Sequence, residues 1–138
     1  MDISESRLRR VPGRIPNNAL LLRARAEDIW RLLVSHGIRV QRHFLLYPNP
    51  WPKSRHLARR WHGHPAFPAI LELGGDLELR SNWPLYVEEF RIALRLAGIA
   101  DAELLSLSAE RPLTLFERKY SASGHPLVRL NARLETAQ

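Results

Sequence analysis

The residues richest in chemical meaning lie in one short run, Tyr47-Pro48-Asn49-Pro50-Trp51-Pro52-Lys53, followed directly by Ser54-Arg55-His56-Leu57-Ala58-Arg59-Arg60. Proline fixes its own φ and pushes the residue before it into extended backbone, so Asn49 and Trp51 are both expected to be extended. A loop stiffened in this way presents an amide, an indole and an ammonium group with little ordering cost left for binding to meet. Behind it, Arg55, His56, Arg59 and Arg60 at helical spacing predict one basic face, which together with Lys53 suits several phosphates. A rigid connector with Trp51 in the core, beside a solvated charged surface, accounts for the same residues, and both readings stay open here.

Other constellations carry less. His62 and His64, with His56 nearby, have no carboxylate or cysteine alongside, so no metal site is expected. Ser106, Ser108, Ser121 and Ser123 lack the strand-turn-helix setting of a nucleophile elbow. His125 after Gly124 reads as turn chemistry, and Glu88 and Glu89 read as a solvated helix face.

Composition narrows the field. The chain has 138 residues, 45% hydrophobic and 25% charged, which predicts one soluble domain over 1–138. It has no cysteine, which removes disulfide frameworks, thiolate metal sites and cysteine nucleophiles. The 21 Lys and Arg exceed the 14 Asp and Glu by seven, and 19 of the cations are arginine. Arginine's planar fork suits phosphates and base edges, so a polyanionic partner is favoured over a membrane. No uncharged apolar stretch approaches the ~18 residues of a membrane helix, and no signal-peptide layout opens the chain, so a cytoplasmic address is expected.

The elements that must position the loop follow from periodicity. Ala19 to Arg23 reads as a buried strand, and Glu27 to Leu33 as a helix stopped by Gly37. Arg39 to Tyr47 reads as a strand covered on both faces, ended by Pro48. Helices are expected from about Arg55 to Trp61 and from Pro65 to Leu73, with Gly74-Gly75 as a left-handed stop. Asp76 to Ser81 alternates as a strand. Asn82 is the expected cap of the next helix, with Pro84 in its first turn and Tyr86, Phe90, Ala93, Leu94 and Ala97 as its apolar stripe. Leu104 to Leu107 and Leu127 to Leu134 would finish the sheet. Strands alternating with helices predict an open α/β sheet, mostly parallel, with ligands beyond the carboxyl ends of its strands. Asn49 to Lys53 and Ser81 to Trp83 fall at two such ends.

The run from Tyr47 to Arg60 resembles the Phe-Pro-Asp-Pro-Trp-x-Lys-x-Arg-His-x-x-Arg-Arg signature of the tRNA (guanine-N7) methyltransferase family. The resemblance continues through Gly74-Gly75-Asp76-Leu77, through Ser81-Asn82-Trp83 and through Arg111-Pro112-Leu113-Thr114-Leu115-Phe116-Glu117. It implies a Rossmann-like class I methyltransferase sheet, S-adenosylmethionine as cofactor, and methylation of guanine N7 in the variable loop of tRNA, with no metal. It further implies guanosine contacts at Lys53, Asn82, Thr114, Leu115, Phe116 and Glu117, RNA contacts at Arg55, His56, Arg59 and Arg60, and cofactor contacts at Asp2, Arg25 and Asn49. Asn49 stands at the active-site position. Trp51 or Trp83 would offer a stacking face, and Glu117 an acceptor for guanine's donors.

Guanine N7 already carries a lone pair, so the implied in-line displacement needs alignment and charge stabilisation but no general base. Asn49 and Asn82 stand where the family has aspartate, and Arg25 where an acid approaches the adenine unless Glu27 or Asp28 takes that place. The family's first strand and glycine-rich loop have no counterpart here, so a longer gene product, a second copy or a partner chain would complete the sheet. A non-catalytic RNA-binding relative and a methyltransferase-like interaction subunit are the alternatives.

Overall fold

The computed structural model describes residues 1–11, 13–107 and 126–135. The order is helix α1 (Glu5–Arg9), helix α2 (Ala26–Ser35), strand β1 (Arg42–Leu46), helix α3 (Phe67–Leu73), strand β2 (Asp76–Ser81), helix α4 (Pro84–Leu96), strand β3 (Ala102–Ser106) and strand β4 (Val128–Arg133). Among the described residues the four strands form one sheet in the order β1-β2-β4-β3.

The α/β class expected from the sequence is present, but the sheet is mixed. β1 pairs parallel with β2, whereas β4 pairs antiparallel with both β2 and β3. β1, β2 and β3 therefore run in one direction, as crossovers through α3 and α4 dictate. β4 enters the gap between β2 and β3 from the opposite direction, which leaves one parallel ladder out of three among the described strands.

One face of the sheet is apolar by strand alternation. Leu45 of β1, Leu77 and Leu79 of β2, and Leu130 and Ala132 of β4 are buried together with Ile70 and Leu73 of α3. From α4 come Tyr86, Val87, Phe90 and Leu94 at spacings that keep them on one side of the helix. α2 adds Trp30, whose ring meets Trp61 edge-on at 4.7 Å. α3 ends at Gly74 and Gly75, both at positive φ. A Cβ on Gly75 would lie 2.2 Å from the Val40 carbonyl oxygen, so close backbone approach as well as conformation requires glycine there.

Four local expectations are corrected. Ala19 to Arg23 is not a buried strand: Leu20 is 76% exposed, and the only pairing described is an isolated parallel bridge between Asp2 and Arg23. An apolar run forms a strand only where a partner edge takes its backbone groups, and here Asp2 alone does so. β1 is not covered on both faces, since Phe44 is 48% exposed. Arg55 to Trp61 is not an α-helix but two short 3-10 turns, Ser54–Arg59 and Trp61–Gly63, interrupted by Arg60 in extended backbone. Asn82 does not cap α4: Trp83 holds that position, and its N–H donates to Ser81 Oγ at 3.0 Å. No described helix is long and apolar enough to cross a membrane.

Candidate active site

β1 and β2 end side by side, with Leu46 opposite Arg80, and the Tyr47 N–H extends the ladder by donating to the Arg80 carbonyl at 2.8 Å. The segments that follow the two strands therefore emerge at the same end of the sheet. Between them and the amino-terminal segment lies a cleft of about 860 Å³, lined among others by Asp2, Arg25, Trp30, Asn49, Trp61 and Asn82. Asp2, Arg25, Asn49 and Asn82, 80 positions apart at their extremes, are thus brought together. Glu27 also lines the cleft.

The Asp2 carboxylate is held in place by its own neighbourhood. It accepts from the Ser4 N–H at 2.8 Å and lies 3.3 Å from Arg7 Nε. Arg25 occupies the N-cap position of α2 without a side-chain capping bond. Asn49 Oδ1 accepts from the Trp51 N–H at 3.2 Å, folding the loop onto its own side chain.

The loop differs from expectation at Trp51. Its φ is 45°, and that of Tyr47 is 53°, so the Pro48–Pro50 segment is bracketed by two non-glycine residues in the left-handed region. Such conformations cost about 1–3 kcal/mol each and persist where surrounding contacts over-determine them. At Trp51 the carbonyl is held by Arg60. Its Nε donates to the Trp51 carbonyl at 3.1 Å and one terminal nitrogen to the Pro52 carbonyl at 3.4 Å. The other terminal nitrogen makes a forked pair with Glu89 of α4 at 2.6 and 2.9 Å. The guanidinium also lies over the Trp83 ring, 5.1 Å from its centre.

Arg60 is only 6% exposed, so the single basic face predicted for Arg55, His56, Arg59 and Arg60 is corrected. A 3-10 turn followed by an extended residue points Arg60 inward, whereas helical spacing would have pointed it out with its neighbours. Lys53, Arg55 and Arg59 remain exposed, with His56 half-buried beside them. The Arg59 guanidinium lies 4.9 Å over the Trp51 ring, and His56 meets the same ring edge-on at 5.5 Å. Thr114, Leu115, Phe116 and Glu117 lie outside the described residues.

Sequence reasoning missed what sits beneath the loop. Glu89 is the counter-ion of Arg60 rather than solvated surface, while Glu88 pairs with Arg91 at 3.3 Å. The Tyr86 hydroxyl accepts from the Trp61 N–H at 3.1 Å, and burial pushes its phenol well above the usual tyrosine range. His62 packs against Tyr86 and Phe90 with Nε2 3.5 Å from Glu89; burial lowers its pKa and the Glu89 charge opposes that shift. His64 Nδ1 accepts from the Ala66 N–H at 2.9 Å. Among the described residues no three His, Asp or Glu side chains gather as a metal cage. One signal was available: Glu89 lies three residues after Tyr86 and four before Ala93, on the margin of the buried stripe rather than opposite it.

Parallel strands crossed over by a helix, with polar side chains gathered in a cleft beyond their carboxyl ends, are consistent with a Rossmann-like α/β sheet of the class I methyltransferase kind. Comparison with known proteins makes this specific. Residues 3–130 match the family described as "Putative methyltransferase", and the chain belongs to that family. It is 33% identical over 123 residues to a tRNA (guanine-N(7)-)-methyltransferase of Nitrosococcus oceani, covering 77% of this chain and 52% of that protein. Proteins of the same name from Rhodococcus jostii (33% over 126 residues, 82% of this chain, 45% of that one) and Ectopseudomonas mendocina (35% over 95 residues, 62% and 40%) are similar. The chain spans about half the length of the curated relatives it matches.

Proposed function

We propose that this chain acts as a tRNA (guanine-N7) methyltransferase that moves a methyl group from S-adenosylmethionine to guanine N7 in the tRNA variable loop. The observation that carries this reading is the meeting of Asp2, Arg25, Asn49 and Asn82 in one cleft at the carboxyl ends of two parallel strands. The residues present fit the cofactor. The cleft volume of about 860 Å³ lies within the range of about 300–1,000 Å³ usual for small-molecule sites. Asp2 offers acceptor oxygens for ribose hydroxyls, Arg25 offers donors to an adenine edge, and Asn49, in the loop that follows β1, lines the same cleft. When bound, the cofactor supplies an electrophilic methyl on a sulfonium.

The chain's own residues would place the base. Lys53, Asn82 and the segment Thr114, Leu115, Phe116 and Glu117 take the guanosine, Glu117 accepting from guanine's ring and amino N–H donors. Lys53, Arg55, His56 and Arg59 take the phosphates, with Trp51 under Arg59 as an amphipathic platform. Guanine N7 would bring its own free lone pair, so no side chain has to remove a proton. Asn49 and Asn82 supply dipoles where aspartates would supply charge, which predicts alignment of the base with less stabilisation of the cationic product. Cytoplasmic placement belongs to the same proposal, as does pairing of a further strand, from a longer chain, a second copy or a partner, along the outer edge of β1.

The test is direct. The purified chain is titrated calorimetrically with S-adenosylmethionine and by fluorescence anisotropy with tRNA at several salt concentrations, then incubated with both and methyl-labelled cofactor. The expected result is saturable cofactor binding, salt-dependent tRNA binding and label at a variable-loop guanine N7. tRNA binding without any cofactor binding or label would overturn methyl transfer by this chain. Sedimentation velocity on the same sample reads self-association.

A further inference from the structure

Arg60 is the most connected cation in the described part of the loop. One guanidinium group donates to the carbonyls of Trp51 and Pro52, forks onto the Glu89 carboxylate and covers the face of Trp83. It therefore ties the segment that follows β1 to the helix that follows β2. The residue it holds most closely, Trp51, is in the left-handed backbone region, and the N–H of that residue in turn holds the Asn49 side chain at the cleft. These contacts leave the Arg60 side chain 7% exposed.

We propose that Arg60, gripped by Glu89, is a positioning residue: it holds the backbone of Trp51 and Pro52 in place and so fixes Asn49 at the cleft, and it does not itself contact RNA. The physical reason is division of labour between neighbours. An arginine can donate from several nitrogens in one plane, so it satisfies two carbonyls and a carboxylate at once, which a lysine ammonium cannot do with the same fixed geometry. Glu89 keeps the guanidinium from turning to solvent. Arg59, one residue earlier, is left exposed for a polyanion. The inference rests on the reading of the cleft as the guanine site, and the experiment separates the two.

The full chain is labelled with 5-fluorotryptophan, which places one fluorine on each of its four tryptophans. The Trp51 resonance is assigned with Trp51→Phe and the Trp30 resonance serves as a monitor of the core. Arg60→Lys, Glu89→Gln and the exchanged pair Arg60→Glu with Glu89→Arg are compared with the parent by fluorine NMR and by tRNA titration over a range of salt. Arg60→Lys and Glu89→Gln are expected to broaden or move the Trp51 signal while leaving Trp30 in place. They should weaken tRNA binding by about tenfold, the scale of one strong contact, with the slope of log Kd against log salt unchanged. The exchanged pair restores the ion pair but has no donor for the two carbonyls at position 60, so it should recover thermal stability and neither the Trp51 signal nor the affinity.

A Trp51 signal unaltered by Arg60→Lys and Glu89→Gln, or recovered by the exchanged pair, would show the carbonyl contacts to be idle and overturn the proposal. Arg60→Gln, which removes the charge, should also leave the salt slope unchanged; a flattened slope in Arg60→Gln would overturn the proposal by making Arg60 a phosphate contact. If the parent chain binds no tRNA, the functional reading fails, and the fluorine spectra still decide the clamp.

Discussion

The two walls of the cleft are built in opposite ways. The loop wall, Pro48 to His64, is fastened to the core through Arg60 and Trp61. Arg60 reaches Glu89, the Trp61 N–H reaches the Tyr86 hydroxyl, and the Trp61 ring meets Trp30. The amino-terminal wall, Met1 to Arg25, buries little. α1 has no buried residue, and Ile3, Val11, Ile15 and Leu20 are exposed. It is held by two backbone bonds at Asp2 and by surface ion pairs such as Arg23 with Glu5. Exposed pairs of that kind contribute about 0–1 kcal/mol each, whereas breaking a buried pair costs several times more. The side of the site proposed for the base is therefore held by buried contacts, and the side proposed for the cofactor by a few backbone bonds and exposed ion pairs.

The largest test of this contrast is Arg60→Ala, which leaves the Glu89 carboxylate without its partner. A loss of about 3 kcal/mol in urea unfolding is expected, against less than about 1 kcal/mol for Arg7→Ala in the other wall. Equal losses would erase the distinction. Next is the core behind the loop. Burial lowers the His43 pKa from 6.5 to about 4, so the unfolded chain takes up a proton that the native chain refuses. The stability tied to this neutral imidazole is complete above pH 6.5 and falls away as pH drops towards 4, by about 3 kcal/mol over the window. His43→Phe, which keeps an aromatic ring against Trp30, should flatten the dependence of Tm on pH in that range; an unaltered dependence would place the titration elsewhere.

A smaller effect is expected at Gly63, where a Cβ would lie 2.5 Å from the Leu57 carbonyl oxygen. Gly63→Ala should cost about 1–3 kcal/mol by forcing apart the two 3-10 turns, read as a drop in Tm. A Tm equal to the parent's would mean the turns yield freely. The mildest test needs no substitution. In hydrogen exchange, the amides of Asp2 and Ala24 should exchange much faster than those of Leu77 and Leu79 in β2, and slow down when S-adenosylmethionine is added. Equal protection before addition would contradict the difference between the walls.

Much of this was legible in the chain. Strands and helices with a clean period, such as Asp76 to Ser81 and the stripe from Tyr86 to Leu94, were found at nearly the right bounds, because burial on one face leaves a mark on residue order. The loop was legible as a stiff specified element and as a family resemblance. What failed were properties set by partners distant in sequence. Nothing near Ala19 to Arg23 says that no strand edge awaits those leucines. Nothing near Arg60 says that a carboxylate 29 positions later draws it inward, or that this pull will hold Trp51 at positive φ against the preference that Pro52 imposes. The antiparallel entry of β4 was likewise invisible, since strand direction within a sheet is decided by how the chain connects to the gap and not by the strand's own side chains.

That entry also sets an order of events. β4 lies between β2 and β3, yet it is the last of the four described strands along the chain. During synthesis β2 and β3 must wait with facing edges unpaired until Val128 to Arg133 arrives to fill the space between them. Pairing at this distance carries a loop-closure cost before any hydrogen bond forms, which slows folding and lengthens exposure of two strand edges. The sheet thus closes from its middle, and the chain is most open to mispairing with other chains just before its last described strand is complete.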